Sequence, residues 1–166
     1  MRDLIIWLFI IITVAMFYNS SNLVLDGTTI SNRILAPYKG KVQGDGSVEF
    51  SRARDGHFYI QAQINNRNIT FLLDTGATDI VLSHKDALHA GIDVQNISNF
   101  KIYETAKGFI EAKIVEIPEM KIGHFLISNV QASVNSYSMS RSLLGMSFLK
   151  HFDFMIKDDT LILYRS

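Results

Sequence analysis

Cysteine is absent from all 166 residues, which excludes disulfides, thiolate nucleophiles and zinc knuckles. That leaves the redox compartment open, because a cysteine-free domain survives in either setting. A charge excess is absent as well. Sixteen Lys and Arg offset sixteen Asp and Glu, so no global field gathers nucleic acid. No basic block or stacked-aromatic pattern occurs, and no nucleic-acid partner is expected. The five histidines are scattered, and His84 and His89 stand five apart, off the one-face spacing of helical metal ligands. No metal and no cofactor are expected. Internal repeats and low-complexity tracts are also lacking.

What the chain does have is apolar: 48% of residues are hydrophobic and 19% charged, enough for one domain with an appendage. The appendage comes first. "LIIWLFIIITVAMFY", Leu4 to Tyr18, holds no charge and a single hydroxyl, Thr13. As a helix it reaches roughly 22 Å at 1.5 Å per residue, short of the ~30 Å hydrocarbon core. Extension to Leu25 makes the reach adequate. Residues 1–25 are therefore read as a membrane anchor, with residues 4–25 in the bilayer. A cleaved signal peptide is the alternative, but no small-x-small cleavage site follows the apolar run. Charge does not fix the orientation, since Arg2 and Asp3 precede the run while Arg33, Lys39 and Lys41 follow it.

Residues 26–47 read as a linker of Gly, Ser, Asn, Thr and charges, with Pro37 and "QGDGS". The folded domain is placed at 48–166. Within it "HFYIQAQI" alternates with period two, "NNRN" turns the chain and "ITFLL" returns as a hairpin. "IVLS" is a short buried strand. Ser83 caps a brief helix, with Asp86 three residues on and Gly91 closing it. Phe109 to Ile114, "EMKI" and "FLISNVQASV" continue the strand pattern around a turn at Gly123. "MSFLKHF" forms a short helix and "FDFMIKDDTLILY" a closing hairpin. The fold class is all-β, a barrel or sandwich with two small helices.

One stretch carries chemistry. In "FLLDTGATDIVLS", residues 71–83, Asp74 stands between a hydrophobic strand and a small-residue turn, with Ile80, Val81 and Leu82 beyond. Burying a carboxylate near a core is costly unless something uses it. Asp-Thr-Gly alone arises by chance in roughly a few per cent of chains this long, and an ordinary turn would explain it. Apolar flanks on both sides argue otherwise. Thr75 can bond backbone, and Gly76 permits a close approach that a side chain would block.

"LLDTGAT" followed by a hydrophobic strand, with "SLLGMSFL" about seventy residues later, resembles the retropepsin-like aspartic proteases, closest to their bacterial, membrane-anchored, single-domain branch. "DGHFYIQAQINNRNITFLLDTGAT", "YETAKGFIEA" and "LLGMSFLKHF" extend the resemblance over nearly the whole domain. It implies a closed retropepsin-like barrel with a short C-terminal helix, preceded here by the transmembrane helix. It makes Asp74 catalytic, supported by Thr75, Gly76 and Ala77. Leu143, Leu144 and Gly145 match the hydrophobic-hydrophobic-Gly motif packed beneath that loop, and Met146 to His151 match the helix.

Such enzymes need two close carboxylates sharing one proton. This chain supplies one Asp-Thr-Gly. Asp79 and Glu104 are nearby but sit in no matching loop. The implied enzyme is a homodimer pairing Asp74 with its twofold copy, bridged through Thr75, and acting on extended peptides or unfolded protein. The resemblance also implies a flap, placed at residues 101–114 around "TAKG": Tyr103, Thr105, Ala106, Lys107, Gly108 and Phe109. Tyr103 and Phe109 are equal candidates to cover the cleft. One departure stands out. Viral relatives often carry Asp where this chain has Thr78, so their subsite preferences do not transfer. The resemblance further implies an inner-membrane protein whose catalytic domain faces the periplasm. The rival reading is a catalytically inactive, membrane-anchored β-barrel that binds peptides or serves assembly.

Overall fold

The computed structural model describes residues 35–105, 108–135 and 139–165. The expected anchor at 4–25 lies outside them. In chain order the elements are β1 (Lys41–Val42), β2 (Val48–Ser51), β3 (Tyr59–Ile64), β4 (Arg67–Leu73), β5 (Ile80–Leu82), α1 (His84–His89), β6 (Phe100–Thr105), β7 (Gly108–Ile122), β8 (Phe125–Asn135), β9 (Ser142–Leu144), α2 (Met146–Leu149), β10 (Phe152–Lys157) and β11 (Thr160–Arg165). One sheet has seven strands in the order β3-β4-β9-β5-β8-β7-β6, and β3 also pairs with β7. That pairing closes all but β6 into a barrel and leaves β6 as an arm on β7. The other sheet runs β1-β2-β11-β10. The all-β barrel with a short helix near the C-terminus matches the sequence reading.

The local chemistry explains the elements. In β3, Ile60, Ala62 and Ile64 are buried while Gln61 and Gln63 are half-exposed, the period of a strand with one face on a core. The two-residue turn Asn65–Asn66 has φ of 50° and 61°, the left-handed pair that suits the twist of a tight hairpin and that asparagine tolerates. At α1, Ser83 Oγ accepts from Asp86 N at 3.1 Å. The helix ends where Gly91 N donates to Leu88 O and Ile92 N to Ala87 O, both at 3.0 Å, with Gly91 at φ +76°. This is a Schellman closure that satisfies the last carbonyls.

Two expectations need correction. The linker does not extend to residue 47, because the compact unit begins at Pro37. Lys41 and Val42 pair with Glu49 and Val48, and "QGDGS" is the turn between them. Asp45 Oδ1 accepts from Ser47 N at 3.0 Å and from Ser47 Oγ at 2.7 Å. Gly46 takes φ +80°. Side chains that read as linker here fold an Asx-type turn. The second correction joins two strands into one. Phe109–Ile114 and "EMKI" belong to a single strand of 15 residues. Pro118 falls between the ladder pairs Ile117–Val130 and Glu119–Ser128, in the stretch after β7 parts from β6 and before it meets β3. A proline is tolerated where no ladder bond needs its missing N–H.

The core beneath the barrel includes Ile60, Phe71, Ile80, Leu82, Ile117, Met120 and Leu144, all buried. It continues to the four-stranded sheet through stacked rings. Phe152 lies 5.0 Å from Phe148 of α2 and 5.2 Å from Phe125 of β8, tilted as the ring quadrupoles favour.

Candidate active site

Asp74 is the first residue after β4, and β5 begins six residues later at Ile80. These consecutive strands do not pair with each other. β9 lies between them, parallel to β4 with Leu72 opposite Leu143 and Leu73 opposite Leu144, and antiparallel to β5 with Val81 opposite Leu143. The loop 74–79 therefore arches over the end of β9.

Backbone bonds hold the arch. Asp74 N donates to Leu144 O at 3.0 Å, and Ala77 N to Asp74 O at 3.1 Å. From below, Met146 N donates to Ala77 O at 2.9 Å and Ser147 N to Thr78 O at 2.8 Å. The free N–H groups at the start of α2 thus find acceptors in the loop. Ser147 Oγ accepts from Ile80 N at 3.1 Å. Gly145 explains why this position tolerates no side chain. A Cβ there would stand 2.5 Å from Asp79 O and closer still to Ala77 O, both backbone atoms of the loop. Leu143, Leu144 and Gly145 lie beneath the loop.

A second support sits under the far end. Ser142 Oγ accepts from Ser83 N at 3.0 Å and donates to Asp86 Oδ2 at 2.6 Å. In a capping box the acidic side chain at this helix position would accept from the cap N–H itself. Here a buried serine from β9 stands between them and ties α1 to the arch. Nothing local in the sequence signals this, because the partners are 56 and 59 residues apart.

At the loop itself, Asp74 Oδ1 accepts from Gly76 N at 2.9 Å, which orients the carboxylate. Asp74 is half-exposed, and Thr75 and Gly76 are exposed. Beside them lies a cleft of about 350 Å³ whose walls include Gly76, Ala77, Val81, Ile110 and Leu143. The β6–β7 hairpin reaches over it, with Thr105 opposite Gly108 at its end. Ala106 and Lys107, the expected flap tip, lie outside the described residues. Tyr103 lines the cleft, whereas Phe109 is 73% exposed. Of the two candidates for covering the cleft, Tyr103 faces it.

Asp79 takes a different part from Asp74. Its Oδ2 accepts from Lys101 Nζ at 2.8 Å and from Tyr103 OH at 2.7 Å. Burial works to raise its pKa, but those two hydrogen bonds, with the charges of Lys101 and Lys150, hold the carboxyl below the ordinary aspartate range. Tyr103 shifts upward through burial, eased by its hydrogen bond to Ser133 and reinforced by Asp79.

An oriented carboxylate on a Gly-containing arch, with an open cleft beside it and a hairpin above, is an arrangement that suits acid–base chemistry on a peptide. Residues 60–151 match the family described as "gag-polyprotein putative aspartyl protease". The chain belongs to the retropepsin-like aspartic protease family. A crystal structure of a retropepsin-like aspartic protease from Rickettsia conorii is similar, with a TM-score of 0.65 and 39% identity over 76% of this chain and 95% of that one. An uncharacterized protein of Rickettsia prowazekii (strain Madrid E) is 40% identical over 119 residues, which is 71% of this chain and 51% of that protein. An uncharacterized protein encoded in a cobV 5′ region of Sinorhizobium sp. is 32% identical over 157 residues, 90% of this chain and 66% of that protein. The chain thus spans about half the length of the first of these relatives and 66% of the second. In this retropepsin domain the conspicuous finding is the singleness of the acid. The carboxylates lining the cleft beside Asp74 are Asp79 and Glu104, and Asp79 accepts from Lys101 and Tyr103.

Proposed function

We propose that this retropepsin-like chain is an aspartic endopeptidase that completes its active site by homodimerisation. The observation that carries it is Asp74. Its carboxylate is oriented by Gly76 N, its loop is fixed by β9 and α2, and its own chain offers no second acid in a matching loop. A twofold copy supplies one. Two carboxyls in contact share a proton, because both cannot ionise comfortably. The ionised one takes a proton from water as the water oxygen bonds to the scissile carbonyl carbon. The protonated one gives its proton to the carbonyl oxygen, forming a tetrahedral diol. Proton return to the amide nitrogen then breaks the C–N bond, leaving one carboxyl and one amine.

The cleft between loop and hairpin suits an extended peptide or unfolded protein. Exposed Thr75 is placed to bridge the two loops. β10 is a terminal strand of its sheet, with Phe154, Met155 and Ile156 exposed by 42%, 45% and 49%. An open apolar edge of this kind favours pairing with a second copy. Residues 4–25 would tether the pair in a bacterial inner membrane with the catalytic domains in the periplasm, raising their effective concentration.

The test uses purified chain against an unfolded protein substrate at acidic pH, over a range of enzyme concentrations. Activity should rise with the square of concentration when dilute and vanish in Asp74→Asn. Equal behaviour of the two forms would favour the peptide-binding module. A linear dependence would remove the dimer.

A further inference from the structure

The flap is joined to the active-site loop by three side chains that the proposed chemistry does not use. β6 is the last strand of its sheet, so its backbone is held by β7 on one side. Two side chains reach down from it to the same oxygen, Asp79 Oδ2: Lys101 Nζ at 2.8 Å and Tyr103 OH at 2.7 Å. Lys101 Nζ also sits 4.8 Å from the centre of the Tyr103 ring, close enough for a cation–π contact. Asp79 belongs to the arch that α2 and β9 hold in place, while the arm above it exposes Phe100, Ile102 and Phe109 by 56%, 61% and 73%. The junction therefore ties an arm with one backbone neighbour to a fixed floor.

We propose that Asp79, Lys101 and Tyr103 form a latch that sets the height of the flap over the cleft, and that Asp79 is a positioning residue for the flap. Asp79 and Tyr103 both line the cleft. A peptide passing beneath the hairpin meets the latch directly, and its entry requires the Lys101 and Tyr103 contacts to open and re-form around it. The latch follows from the contacts alone. Its effect on substrate rests on the peptidase reading.

Hydrogen exchange separates the two. Full-length Asp79→Asn and Lys101→Met should exchange amides at 100–105 and 108–113 faster by about fivefold, in line with a partly exposed charged link. Amides of β3, β4, β10 and β11 should not change, which also reports that the fold survives. Tyr103→Phe should give a smaller rise, and Lys101→Arg should restore protection. Should Asp79→Asn lose the fold, the Lys101 and Tyr103 variants decide alone. Unchanged exchange in the flap of Lys101→Met overturns the latch, whether or not the chain cleaves peptides. Where it cleaves, the latch variants should alter KM more than kcat, and an equal loss in kcat alone would count against a role in substrate entry.

Discussion

The floor and the roof of the cleft are built on opposite principles. The floor, residues 74–79, donates a hydrogen bond to a strand and accepts two from a helix that lie some seventy residues downstream, and a glycine at 145 lets backbone meet backbone. The roof is a hairpin with one supporting strand and exposed aromatic and aliphatic side chains, joined to the floor among the described residues through Lys101, Tyr103 and Asp79. An acid proposed to pair with its twofold copy needs a fixed support. A cover that must admit a polymer needs low local stability. The difference in hydrogen bonding supplies both.

The largest effect should come from Asp74. Asp74→Asn should lower kcat by about 10³-fold or more while leaving the thermal transition within a few degrees of the parent. Fixity can be broken next. Gly145→Ala should cost about 3 kcal/mol, the upper end for overpacking, because the atoms it meets are carbonyl oxygens and not movable side chains. Urea melts would read this, and a cost below 1 kcal/mol would show that the arch yields. Ser142→Ala leaves Ser83 N–H and the Asp86 carboxylate short of a partner and should cost about 1–3 kcal/mol.

The roof should respond to pH through Asp79, its anchor on the floor. Asp79 has a lowered pKa in the folded chain. Its stabilising contribution is therefore complete above the unfolded value, near 3.9, and is lost as pH falls below that through the folded value. The groups facing it are Lys101, Tyr103 and Lys150. Flap amides should stay protected at pH 5 and lose protection progressively as pH falls below the ordinary aspartate value of about 3.9. The smallest effect should be Phe109→Ser, within about 0.5 kcal/mol of the parent, because that ring is already mostly in water.

The sequence made the local elements legible and the long-range joins invisible. Period two in "YIQAQI", the Asn-Asn turn, the Ser83 cap and the Gly91 stop each act over a few residues, so each can be read in place. Asp74 was legible through its flanks and through family resemblance. Ser142, Ser147 and Lys101 were not, since their partners lie 22 to 67 residues away. A serine before two leucines is not distinctive by itself. The "QGDGS" turn was misread because the residues that make a linker flexible also make tight turns possible. Tyr103 and Phe109 occupy opposite faces of adjoining strands, a distinction that needs the register between them.

The placement of β9 fixes when, during synthesis, the Asp74 loop acquires its support. Strands β4 and β5 are synthesised early, yet the slot between them stays vacant until residues 142–144 emerge, and the arch has no floor until Gly145 and α2 follow. A nascent or truncated polypeptide ending before that point carries Asp74 on an unsupported turn. Loop closure over so many residues is slow compared with local hairpin formation. The loop that carries Asp74 thus gains its support only once residues 142–149 have been made.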